Sequence, residues 1–163
     1  MFVMKCGGST LAELPDSFFG DLVKLQENGV QPVIVHGGGP AISENLVKLG
    51  IESKFVNGLR YTSEEVLDVV EMVLSGSINK MIVRRIAKSG GKALGLSGVD
   101  GGLLQAKPVA ASHEVGLVGE VTGVNADLVA GVLNLGYMPV IAPVAPARTA
   151  SATTSTPIPR PAR

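Results

Sequence analysis

The sequence predicts an α/β fold built on a mainly parallel sheet. Short apolar runs lack the alternation of half-exposed strands, helix-period segments lie between them, and most runs end in glycine. Buried parallel strands joined by helical crossovers produce this pattern. The 163 residues suit one domain, and hydrophobic residues make up 45% of them, enough for a sizeable core. With 14 Lys+Arg against 14 Asp+Glu the net charge is +0, and aromatics reach only 4% with no Trp. Neither a basic surface nor a stacking platform is available for nucleic acid. There is no long apolar run and no basic-plus-apolar leader, and a lone cysteine, Cys6, forbids an intramolecular disulfide. The expectation is a cytoplasmic protein with no membrane and no nucleic acid among its partners.

Taken in order, Phe2 to Cys6 is the first strand, closed by Gly7-Gly8-Ser9. A helix around Asp16 to Asn28 puts Phe18, Phe19, Leu22 and Leu25 on one face, with Gly29 just past its end. Pro32 to His36 is a second buried strand, followed at once by Gly37-Gly38-Gly39. Pro40 suits the first turn of a helix carrying Ile42, Leu46 and Leu49, which Gly50 ends. Asn57-Gly58 signals a hairpin, after which Thr62 and Glu65 form a capping box for a long helix reaching about Lys88. Ala93 to Leu96 is a third buried strand and leads into a glycine-rich turn, 98–102. Short antiparallel pieces fill Leu103 to Val124, Asn125 caps a helix closed by Gly136, and Met138 to Ala142 is the last strand.

Composition then changes. Every glycine lies at or before Gly136, no acidic residue follows Asp127, and 5 of the 10 prolines fall after Ala142. The chain therefore divides into residues 1–144, the folded part, and residues 145–163, a low-complexity tail of Ala, Thr, Ser, Pro and Arg expected to be disordered or loosely attached.

In open α/β sheets ligands bind beyond the carboxyl ends of the strands, where glycine clusters 7–8, 37–39 and 98–102 would all lie. Glycine lets backbone N–H groups approach an anion, and a following helix N-terminus adds favourable partial charge. Each cluster alone is equally well a tight turn. Lys5, inside an apolar strand two residues before Gly7, suits charge neutralisation at phosphate oxygens, or is a strand-end lysine reaching for water. Arg60 offers a fork for a carboxylate, or is a solvated hairpin arginine. His36 reads equally as structural or functional; with His113 the only other histidine, zinc is not expected and no metal ligands are assigned. Asp100 reads as a loop-forming residue, and Ser9 and Thr10 as caps of the first helix. The sequence contains neither G-x-x-x-x-G-K-[ST] nor G-x-G-x-x-G, which disfavours P-loop and Rossmann sites.

Four segments together carry a resemblance: Lys5-Cys6-Gly7-Gly8-Ser9, Val33-Ile34-Val35-His36-Gly37-Gly38-Gly39-Pro40, Asn57-Gly58-Leu59-Arg60-Tyr61-Thr62 and Gly136-Tyr137-Met138-Pro139-Val140-Ile141. In order and spacing they resemble the amino acid kinase family, and the Asn57 to Thr62 segment resembles its branch that phosphorylates N-acetyl-L-glutamate. The resemblance covers about residues 1–144. It implies a three-layer αβα sandwich of the carbamate kinase-like type and ATP-dependent phosphorylation of the γ-carboxylate of N-acetyl-L-glutamate, the second step of arginine synthesis. By the same resemblance Lys5 is the catalytic lysine, Gly7 and Gly8 approach the phosphates of ATP with Mg2+, Gly38 and Gly39 bind the substrate's γ-carboxylate and phosphoryl region, and Arg60 grips its α-carboxylate. The implied assembly is a homodimer without arginine feedback.

The family's glycine-rich hairpin, Asn-x-Asn-Ala-Asp motif, ATP-binding domain and second catalytic lysine have no counterpart in the sequence. Val124-Asn125-Ala126-Asp127 imitates that motif but precedes the last strand, and Asn125 is read as a cap. The expectation is a truncated, weakly active or inactive kinase with its nucleotide-binding part missing and a frame-shifted or artificial tail. Two other readings stand beside it. One is a non-catalytic acetylglutamate-binding module; the other is a kinase for glutamate, carbamate or aspartate.

Overall fold

A computed structural model describes residues 1–8, 13–110, 112–146 and 152–155. Strands β1 (Phe2–Cys6), β2 (Pro32–His36), β5 (Ala93–Ser97) and β8 (Met138–Ala142) form one parallel sheet in the order β1-β2-β8-β5. A hairpin, β3 (Phe55–Val56) and β4 (Leu59–Arg60), stands apart, turned by Asn57 and Gly58, whose φ of 50° and 81° match the Asn-Gly signal. A second sheet runs β6-β7-β10-β9 from Leu104–Pro108, Val118–Val124, Ala152–Ser155 and Val144–Pro146.

Both faces of the central strands β2 and β8 are covered, which is why they read as continuous apolar runs, whereas edge strand β1 leaves Val3 and Lys5 exposed on one face. On one face Cys6, Ile34, Met138, Val140 and Ala142 pack under α1 (Asp16–Glu27), α2 (Gly39–Lys48), α3 (Glu64–Glu71) and α4 (Asn79–Lys88). On the other, Val33 and Ile141 pack with Leu133 of α6 (Ala126–Asn134) and with Leu104 and Ala106 of β6. The architecture is the expected α/β fold, with a third layer made of one helix and a mixed sheet, in which β10 runs parallel to β7 and antiparallel to β9. A short helix, α5 (Ser112–Val115), joins β6 to β7.

The long helix after the hairpin is continuous but not uniform: Met72–Ile78, between α3 and α4, is π-helical. Its N-cap is Ser63, whose side chain accepts from Val66 N–H at 3.2 Å, and not the expected Thr62. Thr62 is buried and used elsewhere: its N–H donates to Val115 O at 2.9 Å and its carbonyl accepts from Leu117 N–H at 2.7 Å. Asn125 caps α6 as expected, accepting from Leu128 N–H at 3.2 Å. The first helix starts at Asp16 behind Pro15 without a side-chain cap, and Ser9 and Thr10 lie outside the described residues.

The tail differs from expectation where it is described. Ala145 is fully buried in β9, and Ala152–Ser155 pairs with both β9 and β7. Pairing with β7 satisfies backbone groups that composition alone leaves open. Residues 147–151 and 156–163 lie outside the described residues.

A close backbone contact joins the first two glycine loops. A Cβ on Gly8 would lie 2.6 Å from Gly38 N and 2.7 Å from Gly38 Cα, whereas one on Gly20 in α1 meets nothing within 4 Å. Gly8→Ala is therefore expected to lower stability by about 1–3 kcal/mol, and Gly20→Ala to raise it by about 0.5–1 kcal/mol. Urea unfolding midpoints of the two variants check this, and equal midpoints would refute the close approach.

Candidate active site

The parallel strands end together. Register sets Lys5, Val35, Ile141 and Leu96 in one row across the sheet, with Cys6 beside His36 in the next. Alternation sends Cys6 into the helix-covered core, where burial pushes its thiol pKa up, and Lys5 to the opposite face, exposed. Lys5 has no ion pair among the described residues.

Beyond the strands, Gly37 N–H donates to Cys6 O at 3.1 Å, extending the β1–β2 pairing by one step. The contact between Gly8 and Gly38 then merges the clusters 7–8 and 37–39 into one glycine cradle. Gly38 is the N-cap of α2, supplies no side-chain cap, and is followed by Pro40 in the first turn. The N–H groups of Gly38 and Gly39 donate to no described residue. Orphan donors at a helix N-terminus face anions by default.

The third cluster behaves differently. Gly98 sits so close to β9 that a Cβ would lie 2.5 Å from Val144 O, and Gly101 and Gly102 turn the chain at φ of 58° and 63°. Asp100 Oδ2 accepts from Ser97 N–H at 2.6 Å and Ser97 Oγ at 2.9 Å, the loop-forming role expected of it. This cluster is turn scaffolding.

Arg60 is brought to the cradle by the hairpin. Its Nη2 donates to Ser43 Oγ at 2.7 Å and Gly39 O at 3.3 Å, Nη1 donates to Ser53 Oγ, and the guanidinium lies 4.6 Å from the Phe55 ring centroid. Partial burial lowers its pKa, but a guanidinium stays charged. Among the described residues no carboxylate pairs with it, so a fixed cation stands beside the first turn of α2 without a counter-ion. Thr62 Oγ1 donates to Arg60 O at 3.0 Å, fixing the backbone that carries the fork. Ser43, Ser53 and this role of Thr62 escaped sequence reasoning. Only the Arg60-x-Thr62 spacing hinted at the last.

His36 is 1% exposed, with Nδ1 3.2 Å from Gly37 O and Nε2 3.2 Å from Asn79 Nδ2. Its pKa is lowered, first by burial and then by the charge of Lys80, against the bond to Gly37. Asn79 was also missed, although an Asn on the apolar side of a long helix is a poor helix former and signals a buried polar contact. Among the described residues no three His, Cys, Asp or Glu side chains converge as a metal site, and no helix is long and apolar enough to cross a membrane.

The sequence model of the Amino acid kinase family matches residues 1–156. Acetylglutamate kinase of Geobacillus thermodenitrificans is 50% identical over 147 residues, covering 90% of this chain and 57% of that relative. Acetylglutamate kinase of Oceanobacillus iheyensis is 54% identical over 144 residues, covering 88% of this chain and 54% of that relative. The chain thus spans about half the length of the curated relatives it matches. Among solved structures, smu.665 from Streptococcus mutans superposes with a TM-score of 0.88 at 26% identity over 94% of this chain and 62% of that one. N-acetylglutamate synthase from Neisseria gonorrhoeae shares the fold, with a TM-score of 0.75 at 16% identity over 94% of this chain and 35% of that one. A parallel sheet whose strand ends carry a paired-glycine cradle, beside a partly buried arginine, is thus placed by sequence as well as by shape: the chain belongs to the amino acid kinase family.

Proposed function

We propose that this chain carries the acceptor-binding half of a kinase that phosphorylates the γ-carboxylate of N-acetyl-L-glutamate, the second step of arginine synthesis. The observation that carries the reading is the uncompensated Arg60 fork beside the uncapped N-terminus of α2. An acceptor with two carboxylates fits it, one on Arg60 and one at the N–H groups of Gly38 and Gly39. Identities near 50% to acetylglutamate kinases favour this acceptor over glutamate, carbamate or aspartate.

In this reading Arg60 and the α2 N-terminus orient the acceptor, and Lys5 neutralises charge that develops between acceptor and donor. A carboxylate is already ionised at neutral pH, so positioning and electrostatics suffice and no general base is required. This agrees with a site whose histidine is buried away from the crevice. The glycine cradle, which a Cβ would fill, suits phosphate oxygens, and Gly7 and Gly8 would hold the phosphates of ATP with Mg2+, which supplies the phosphoryl group. The proposed organisation keeps residues 1–144 as the binding and homodimer-forming part, cytoplasmic in location.

A second reading, a binding module without turnover, is favoured by one observation: the chain covers only 57% and 54% of the relatives' lengths. Calorimetric titration with N-acetyl-L-glutamate tests the shared part. Arg60→Ala is expected to weaken binding by about 10- to 100-fold, the worth of a charge-assisted hydrogen-bonded pair, and Arg60→Lys to restore little, because the fork is lost. Unchanged affinity in Arg60→Ala would overturn the assignment. In a coupled ADP-release assay the chain by itself is expected to show no sustained turnover; rates typical of kinases would refute the binding-module reading.

A further inference from the structure

The first glycine loop meets the second through Gly38, whose N–H the proposed function assigns to the acceptor. Beneath that loop lies a buried polar chain.

Asn79 is completely buried at the start of α4, under the sheet. Its amide orientation is settled by chemistry. Nδ2 lies 2.9 Å from Val140 O and 3.2 Å from Leu96 O, while Oδ1 receives Lys80 Nζ at 3.0 Å. Exchanging the two ends would set an oxygen against two carbonyls and a nitrogen against an ammonium. The third neighbour of Nδ2 is His36 Nε2, at 3.2 Å. The two N–H groups of Nδ2 are shared among these three neighbours, and an amide nitrogen cannot accept, so an Nε2–H would find no lone pair there, while the Gly37 carbonyl at Nδ1 requires a donor. Nε2 is therefore bare and the single ring proton of neutral His36 sits on Nδ1. Burial of His36 keeps the ring neutral. Nδ1–H then donates to Gly37 O at 3.2 Å.

Peptide geometry carries the effect onward. The described chain has no cis peptide bond, and across a trans peptide the C=O and the next N–H point in opposite directions. With its carbonyl held by the buried imidazole, the Gly37–Gly38 peptide turns Gly38 N–H away from the core, toward the side where Gly8 approaches. That N–H donates to no described residue.

We propose that Asn79 is a positioning residue: it fixes the Nδ1–H tautomer of His36, which holds the Gly37 carbonyl and thereby aims Gly38 N–H into the cradle. The inference rests on the proposed function only for what the N–H binds, not for how it is aimed.

Two substitutions separate aiming from stitching, because both leave the bonds of Asn79 to Leu96 and Val140 in place. In His36→Asn the short amide puts a donor where Nδ1–H stood, and in His36→Gln the longer amide reaches the Nε2 position and leaves Gly37 O without its partner. With N-acetyl-L-glutamate in calorimetry, His36→Asn is expected to bind within about 3-fold of the unsubstituted chain and His36→Gln at least about 10-fold more weakly, a difference near 1.4 kcal/mol. Equal affinities overturn the proposal. Ligand-free NMR supplies the independent readout. Ring nitrogen shifts of His36 should show protonated Nδ1 and bare Nε2, and the Gly38 amide resonance should move in His36→Gln but not in His36→Asn. An Nε2–H tautomer in the unsubstituted chain overturns the proposal even if the variants fail to fold. Absence of acetylglutamate binding in the unsubstituted chain sinks the proposed function instead, leaving the tautomer and amide shifts to decide this inference.

Discussion

Two glycine loops and one helix meet where no side chain fits, and the rest of the site is arranged around that contact. Gly8 touches the backbone of Gly38, and on Gly38's own Cβ side Ile78 Cδ1 and Leu74 Cδ2 would stand 2.3 Å and 2.7 Å away. Backbone on one side and a branched apolar wall on the other leave the Gly38 segment little freedom. Close packing of this kind replaces side-chain hydrogen bonds as the means of holding a loop rigid. The result is a fixed N-terminus for α2 with its first donors unclaimed, which a flexible loop would offer only at an entropic cost on binding.

The electrostatics follow from the same frame. Arg60 is held by the hydroxyls of Ser43 and Ser53 and the carbonyl of Gly39, none of which carries a charge. Neutral acceptors fix the fork without cancelling it, so its full charge stays available to a ligand carboxylate. Partial burial makes that charge costly to leave alone, and its remaining contact with water keeps the cost tolerable. A preorganised cation next to aligned helix donors is a site that pulls on anions before any loop moves. On the proposed reading this is where the chain's part in the reaction lies, since an ionised carboxylate needs placement more than activation.

Much of the frame was legible in the residues. β1, β2 and β8 follow their apolar runs residue for residue, and the Asn57-Gly58 turn and the Asn125 cap rest on local chemistry that tertiary contacts leave intact. Where tertiary contacts compete, local signals lose. Thr62 looks like a cap, but the segment 115–117 claims its backbone and Arg60 its hydroxyl, so the cap passes to Ser63. Ala145 lies in a stretch that reads as tail, yet a small residue against a buried sheet edge disappears from water. Within the site, glycines and Arg60 announce themselves by type, whereas Ser43, Ser53 and Asn79 matter only through partners distant in sequence.

The π-helical segment explains how one helix serves both the cradle and the polar chain beneath it. Val66, Val70, Leu74, Ile78, Ile82 and Ile86 recur at every fourth position and all are buried. An α-helix advances about 100° per residue, so each four-residue step drifts about 40° and five steps would carry the last residue around to the far side. Only a wider turn within the run keeps such a series on one face, and Met72–Ile78 supplies it. The widening lets Leu74 and Ile78 press on Gly38 together and brings Asn79, the next residue, under the sheet beside His36. A strict repeat of four over this length is thus a readable sign of a π segment, and here it sets both the apolar and the polar support of the same glycine loop.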